Sequence, residues 1–540
     1  RLRTVTGVQT CALPISPQGA RTLRSGGSAG GRGPSPSADL ADPDVTVVGT
    51  NLTRVGGALA TGGAELARLA GATLLCDGPA PIRGATVDSR LIAERRGALF
   101  VALPGAVTDG RRYLLDAIDA GAGALLVEAG GDRAIDEQVQ RAVAGAAERG
   151  VSVLSVPSGV ESLNRLAAAW RRRFDFEVIG VTGSVGKTTT KECIFSALGG
   201  ADEHVAATPG NANNEIGLPL ALLNLPDDTE RFVAEMGMYV GGEISALCEL
   251  ALPTVGVVTA IDAVHAERAG GLDEIESAKG ELVAALPADG WAILASDDER
   301  VMRTASRGPA RVLTAGHAEG SDVRIVAVGL DQESARTRVT LEVEDVRLEV
   351  DLPLFGAHFA RSAALSVAVA KVCGVDLRDA ARRLSEVRLP HGRASVRSVG
   401  GVRLIDDAYN AAPTSMAAAL ATLAGATGAR IAALGAMGEL GAYAAAAHES
   451  VGRAAAASGL EMLLVFGAEA DGIAEGARSA GMPVDRIVRL STDEQGIVAG
   501  AGLIADRVRS GDTVLVKASR FVALERLVAA LDERLKGART

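Results

Sequence analysis

Residues 178–198 constrain this chain more than any other stretch. A short apolar run at 178–181 leads directly into Thr182-Gly183-Ser184-Val185-Gly186-Lys187-Thr188-Thr189, and a helix-compatible segment from Lys187 to Leu198 stops at Gly199-Gly200. Strand, glycine loop, helix is the context in which a phosphate-loop pattern has physical meaning. The amide N–H groups of such a loop point inward and the helix N-terminus adds partial positive charge, so a polyphosphate is held there. The expected ligand is ATP or GTP. Gly183, Ser184, Val185, Gly186, Lys187, Thr188 and Thr189 form the cradle, with Lys187 reaching the terminal phosphates and the Thr188 hydroxyl serving Mg²⁺. The strict pattern wants glycine where Val181 stands and is missed by that one position.

One such loop cannot organise 540 residues. Single cores rarely grow past about 250–300 residues, so three domains are expected. The spans are 46–175, 176–392 and 393–540, behind a disordered or non-native leader at 1–45 whose Gly, Ser, Pro and Arg cannot bury a core. A hydrophobic fraction of 48% with 65 glycines and only 3% aromatics describes an Ala/Gly/Val-rich α/β protein. A net charge of −11 without any Lys/Arg block argues against nucleic acid or an anionic membrane as the main partner. Cys11, Cys76, Cys193, Cys248 and Cys373 lack paired spacing and fit reduced thiols. No apolar run reaches the ~18–20 residues of a membrane span, so a cytoplasmic protein without membrane insertion is expected.

Two later strands end in candidate metal ligands, Glu235 and His265, and in an open α/β sheet ligands bind beyond the carboxyl ends of strands. Lys279 stands out differently. On the helical stretch 272–286 it shares one face with Leu272, Ile275, Leu282 and Leu286, a core-facing slot for a cation. Burial favours the neutral amine, which is able to capture CO₂ as a carbamate; a rim lysine with its head in water is the plainer alternative. Arg171-Arg172-Arg173 read as a solvated helix end. Alternating strands at 322–354 suggest a β-rich insertion, and strands near 402, 430, 462 and 513 with helices between suggest a second parallel sheet.

These stretches together resemble the Mur ligases over roughly 78–528. The likeness is carried by Val87-Asp88-Ser89-Arg90, the loop extended through Thr190-Lys191-Glu192, and Thr208-Pro209-Gly210-Asn211-Ala212-Asn213-Asn214-Glu215-Ile216-Gly217. It continues in Ala278-Lys279-Gly280-Glu281, Asp406-Asp407-Ala408-Tyr409-Asn410, Glu439-Leu440-Gly441 and Val516-Lys517-Ala518-Ser519-Arg520. The resemblance implies a central P-loop ATPase-type parallel sheet flanked by a smaller N-terminal α/β domain and a C-terminal Rossmann-like domain. It implies an ATP- and Mg²⁺-dependent amide ligase, acting as a monomer, whose substrates are a UDP-N-acetylmuramoyl-tripeptide and D-alanyl-D-alanine, joined through an acyl phosphate for peptidoglycan.

By the same resemblance Lys187, Lys279, His265 and Arg393 are catalytic, and Thr188, Glu235, His265 and carbamylated Lys279 serve metal. Asp407 would meet the ribose. Ser89 and Arg90 would contact UDP, Asn213 and Asn214 the muramoyl arm, and Lys517, Ser519 and Arg520 the dipeptide. Ala295, Phe359, Ser362, Ala412 and Ala436 replace polar residues of the family pattern, while His358 is retained. Several of these changes remove contacts to the base rather than the phosphates. Altered adenine affinity is the expected consequence, each hydrogen bond being worth about 0.5–1.5 kcal/mol. A nucleotide-binding relative without ligation, or a ligase with another acceptor, are the alternatives.

Overall fold

The computed structural model describes residues 57–105, 108–131, 133–263 and 270–537. The proposed leader lies outside them. The chain divides between Asp175 and Phe176 into two compact units.

In the first unit, β1 (Thr73–Cys76), β2 (Ala85–Thr86), β3 (Leu99–Ala102), β4 (Ala124–Glu128) and β5 (Ser152–Val156) form a sheet in the order β1-β5-β4-β3-β2. Within it only β1 runs antiparallel to its neighbour. The inner strands are buried on both faces and so read as continuous apolar runs. A helix that the sequence does not announce, α1 (Arg133–Arg149), buries only Ile135, Ala142 and Ala146, a stripe too thin to stand out. The following helix, α2 (Gly159–Arg171), starts where Ser158 Oγ accepts the Glu161 N–H at 3.3 Å.

Its far end corrects one expectation. Arg171 is not solvated: it is buried, donates from Nη1 to the Phe174 carbonyl at 2.8 Å, and has its pKa pushed down to about 10 by that burial. Arg173 pairs with Glu65 and lies over the Trp170 ring. The turn after the helix folds back, so Arg171 satisfies a local carbonyl instead of water and Arg173 a carboxylate, while Arg172 stays exposed.

The second unit holds two sheets, completing the three-domain α/β architecture expected from the sequence. The larger is built from β6 (Glu177–Thr182), β7 (Val205–Ala207), β8 (Arg231–Glu235), β9 (Val255–Val258), β10 (Trp291–Ala295), β11 (Arg311–Gly316), β12 (Val323–Asp331), β13 (Arg336–Val343) and β14 (Val346–Leu352). Their order is β14-β13-β12-β11-β10-β9-β6-β8-β7. The alternating strands expected at 322–354 are present as β12–β14. Ala315 and Gly316 of β11 pair in parallel with Val323 and Arg324 of β12, so the antiparallel strands β12–β14 extend the central sheet. Alternating polarity announces strands but not the edge they join.

The remaining sheet contains β15 (Ser395–Val399), β16 (Val402–Asp407), β17 (Arg430–Gly435), β18 (Met462–Phe466), β19 (Ile487–Leu490) and β20 (Thr513–Lys517), ordered β15-β16-β20-β17-β18-β19 with only β15 antiparallel.

Candidate active site

Parallel register sets the site. Val181 on β6 pairs with Glu235 on β8, and Thr182 pairs with Val258 on β9. The loop leaving β6 therefore emerges between the carboxyl ends of β8 and β9 before entering α3 (Lys187–Ala197). The segment that follows β9 clamps it. Ser184 N donates to Ala260 O at 2.8 Å, Ser184 Oγ exchanges 2.9 Å bonds with the backbone of Asp262, and Thr259 Oγ1 donates to Val185 O at 2.6 Å.

Gly183 sits at φ 149° and Gly186 at φ 83°, a region disfavoured for side chains. A Cβ on Gly183 would also lie 1.9 Å from Thr259 Oγ1. Gly183→Ala is accordingly expected to weaken binding of a fluorescent ATP analogue by about tenfold or more, since strain of this kind costs about 1–3 kcal/mol. Titration of the folded variant checks this.

Around the loop the structure assembles four of the expected residues. Glu235, 1% exposed, accepts Thr188 Oγ1 at 2.8 Å on one carboxylate oxygen and Asn213 Nδ2 at 2.8 Å on the other. Lys187 Nζ folds over the loop to Gly183 O at 2.7 Å. Burial lowers its pKa; Glu235 opposes the shift and Arg393 adds to it, so Arg393 stands within electrostatic reach. Asn214 differs from its neighbour Asn213: its Oδ1 accepts the Gly217 N–H at 2.9 Å and starts α4 (Gly217–Leu223).

Lys279 lies on α5 (Leu272–Ala284), buried beside Ile275 and Leu282 as its helical face requires. Close approach of this helix to the sheet depends on Gly180, where a Cβ would sit 2.8 Å from Leu282 Cδ1. Burial, reinforced by the charge of Lys187, drives the Lys279 pKa well below its ordinary value. Among the described residues no acceptor is hydrogen-bonded to its amine. His265 lies outside the described residues. Among those that are described, no group of three or more His, Cys, Asp or Glu could hold a metal ion.

Ser89 and Arg90 belong to the first unit, on a short 3₁₀ turn where the Arg90 guanidinium is held by Asp88 at 2.6–3.2 Å. That pairing keeps the Asp88 carboxyl below its usual range.

Beyond the central sheet, Arg393 stacks on Tyr409 at 4.2 Å, and Arg520 lies 5.7 Å from the same ring. Lys517, 2% exposed, donates to Asp407 Oδ2 at 2.5 Å and to Asn410 O at 2.9 Å. Ser519 Oγ accepts the Gly438 N–H at 2.9 Å and donates to Ala411 O at 3.2 Å. Lys517 and Ser519 thus brace the loops after β16 and β17, while Arg520 is exposed and paired with Glu525. The replaced positions are accommodated internally. Ser362, on α6 (Phe359–Val372), shares a 3.0 Å bond with Thr190 of α3. Ala412 precedes α7 (Pro413–Ala424), where Ser415 Oγ takes the Ala412 N–H.

Three residues near the loop carry no expectation from the sequence: Thr259, Asp262 and Thr208, whose Oγ1 accepts the Glu235 N–H at 3.0 Å. A hydroxyl or carboxylate just past a strand end on either side of a phosphate loop is the available signal.

A phosphate loop on a mixed nine-stranded sheet, with a buried carboxylate and a buried lysine beside it, defines a P-loop α/β protein. The chain belongs to the Mur ligase family: the Mur ligase family catalytic domain matches residues 81–171, the Mur ligase middle domain 181–370 and the Mur ligase glutamate ligase domain 392–520. It is 31% identical over 455 residues to the UDP-N-acetylmuramoyl-tripeptide–D-alanyl-D-alanine ligase of Bacillus subtilis, spanning 84% of this chain and 93% of that one. The protein of the same name from Mycobacterium bovis is 35% identical over 473 residues, 82% and 91% of the two chains. Among solved structures, MurF from Acinetobacter baumannii superposes with TM-score 0.76 at 27% identity, covering 88% of this chain and 99% of that one. MurF from Thermotoga maritima in complex with ADP gives 0.70 at 30% identity, covering 84% and 98%.

Proposed function

We propose that this protein is the ATP-dependent ligase that joins D-alanyl-D-alanine to a UDP-N-acetylmuramoyl-tripeptide, acting in the cytoplasm on peptidoglycan precursors. The observation that carries the reading is the Thr188–Glu235–Asn213 cluster beside Lys187, with a buried Lys279 whose amine has no hydrogen-bonded acceptor among the described residues.

The donor set suits Mg²⁺. Hydroxyl and carboxylate oxygens are the hard ligands it prefers, and it takes few protein ligands because substrate phosphates and water complete its shell. Thr188, Glu235, His265 and a carbamate on Lys279 would hold it, and when bound it neutralises charge on the transferring phosphoryl group.

The chain's own residues do the rest. The loop amides between Gly183 and Thr188 orient the β- and γ-phosphates, and Lys187 leaves the Gly183 carbonyl to pair with the γ-phosphate. The γ-phosphoryl group passes to an oxygen of the tripeptide's terminal carboxylate, with ADP as leaving group. The dipeptide amine then attacks the acyl carbon, phosphate leaves, and the amine gives up a proton. Asn213 places the muramoyl arm. Asp407, held by Lys517, meets the ribose, and Arg393 supplies positive charge to the γ-phosphate from the third domain. Ser519 and Arg520 lie on the side where the dipeptide is received. Closure over this site keeps water from the acyl phosphate.

Purified protein supplied with ATP, Mg²⁺, the UDP-linked tripeptide and D-alanyl-D-alanine is expected to release phosphate only when both substrates are present. The pentapeptide product should appear by mass spectrometry. Phosphate release indifferent to the dipeptide overturns the reading, as does nucleotide binding with no turnover.

A further inference from the structure

Lys191 is one of the largest side chains fully buried in the protein, at 1% exposure on the phosphate-loop helix α3. Its Nζ donates to Thr208 O at 2.6 Å and Gly210 O at 3.3 Å and contacts Glu192 Oε1 at 2.7 Å. An ammonium has three N–H donors and no acceptor capacity, so these three oxygens match its inventory. Such saturation matters because a buried charge is tolerated only when it is paired and hydrogen-bonded.

The two carbonyls form the base of the 208–214 segment, and that segment is tied to the site by its other end. Asn213 Nδ2 reaches Glu235, and Asn213 O accepts the Gly237 N–H at 2.8 Å. Thr208 Oγ1 accepts the Glu235 N–H. The segment is therefore held by Lys191 at Thr208 and Gly210 and by the Glu235–Gly237 strand end at Thr208 and Asn213. Among the described residues, no bond of Lys191 runs to the phosphate cradle.

We propose that Lys191 is a positioning residue for the donor substrate: it fixes the 208–214 segment so that Asn213 meets the muramoyl arm. This rests on the ligase reading above. The lysine acts through backbone carbonyls, so its contribution belongs to the UDP-linked tripeptide and not to ATP.

The test is a pair of direct titrations without turnover, one with the UDP-linked tripeptide and one with a non-hydrolysable ATP analogue. Lys191→Met, similar in length and apolar, is expected to weaken the tripeptide about tenfold while shifting the ATP analogue less than about twofold, because hydrogen bonds to a charged group are individually worth about 1.5–3 kcal/mol. In an Asn213→Ala background the same substitution should cost under about twofold, since both act on one contact. Equal weakening of both ligands, or full additivity with Asn213→Ala, overturns the role. Should Lys191→Met fail to fold, Lys191→Gln, which keeps a donor, is put through the same titrations with the same criteria. A wild-type protein that binds no tripeptide refutes the ligase reading itself, whereas normal wild-type binding with an unchanged variant refutes only the role of Lys191.

Discussion

Lys279→Ala is expected to lower kcat by about 10³-fold or more while leaving affinity for an ATP analogue within about threefold, the scale of losing a group that stabilises charge only in transfer. The side chain is 1% exposed, lies among Ile275 and Leu282, and has no described acceptor. A charged ammonium is costly there, and the positive Lys187 nearby makes it costlier. Burial favours the neutral amine over the ammonium there, and the lone pair of a neutral amine is what attacks CO₂. The nitrogen bonds to carbon, one proton is released, and the product is a carboxylate-like carbamate. Two measurements separate this from simple packing. Wild-type kcat should fall in CO₂-depleted buffer and recover with bicarbonate, and the Lys279→Ala variant should not respond to bicarbonate. Near wild-type rates at low bicarbonate would sink the idea.

The same burial fixes a sign for stability. The folded state binds fewer protons than the unfolded state between the lowered pKa and the ordinary value of 10.5. Without CO₂, stability is therefore lost as pH falls through that window, and regained as pH rises.

Lys279 also shows how much the sequence can say. Its face on the helix is legible because four apolar neighbours share the 3- and 4-residue steps, and the structure buries it there. The phosphate loop is legible because its strand, glycines and helix are contiguous, and the strands near 402, 430, 462 and 513 because each is an apolar run closed by a turn. What contiguity does not carry is not legible. Arg171 reads as a surface charge until the turn to Phe174 folds back over it. Strands β12–β14 are legible as alternating strands, but the edge they join is not, because their pairing partner, β11, is chosen by sheet topology. The bonds of Lys517 and Ser519 to Asp407, Asn410 and Ala411 join two loops more than a hundred residues apart, which no local pattern announces. Glu235 reads as a strand-end candidate metal ligand, without its neighbours. Its partners, Thr188 and Asn213, come from segments that meet only when β6 and β8 pair in register.

That register underlies the second large effect. Glu235→Gln is expected to reduce kcat about 10–100-fold and to raise the Mg²⁺ concentration needed for half-maximal rate by a similar factor, with the fold intact. The carboxylate now accepts one hydrogen bond on each oxygen, from Thr188 Oγ1 and Asn213 Nδ2, and retains lone pairs on both. An amide of the same shape keeps one acceptor only. Whichever way it turns, its NH₂ confronts either the threonine hydroxyl or the asparagine NH₂. If it faces Asn213, two donors oppose each other until the Asn213 amide turns its Oδ1 inward, which reorients that side chain. If it faces Thr188, the hydroxyl must reverse its proton and the negative charge beside the metal position is still gone. Both orientations remove the charge that offsets Lys187, so burial and Arg393 act on that lysine unopposed. A Mg²⁺ titration of initial rates, paired with binding of an ATP analogue in the absence of metal, distinguishes the cases. Loss confined to the metal-dependent parameters supports a metal-side role for Glu235. Equal loss in metal-free nucleotide binding would instead assign the carboxylate to holding the loop through Thr188.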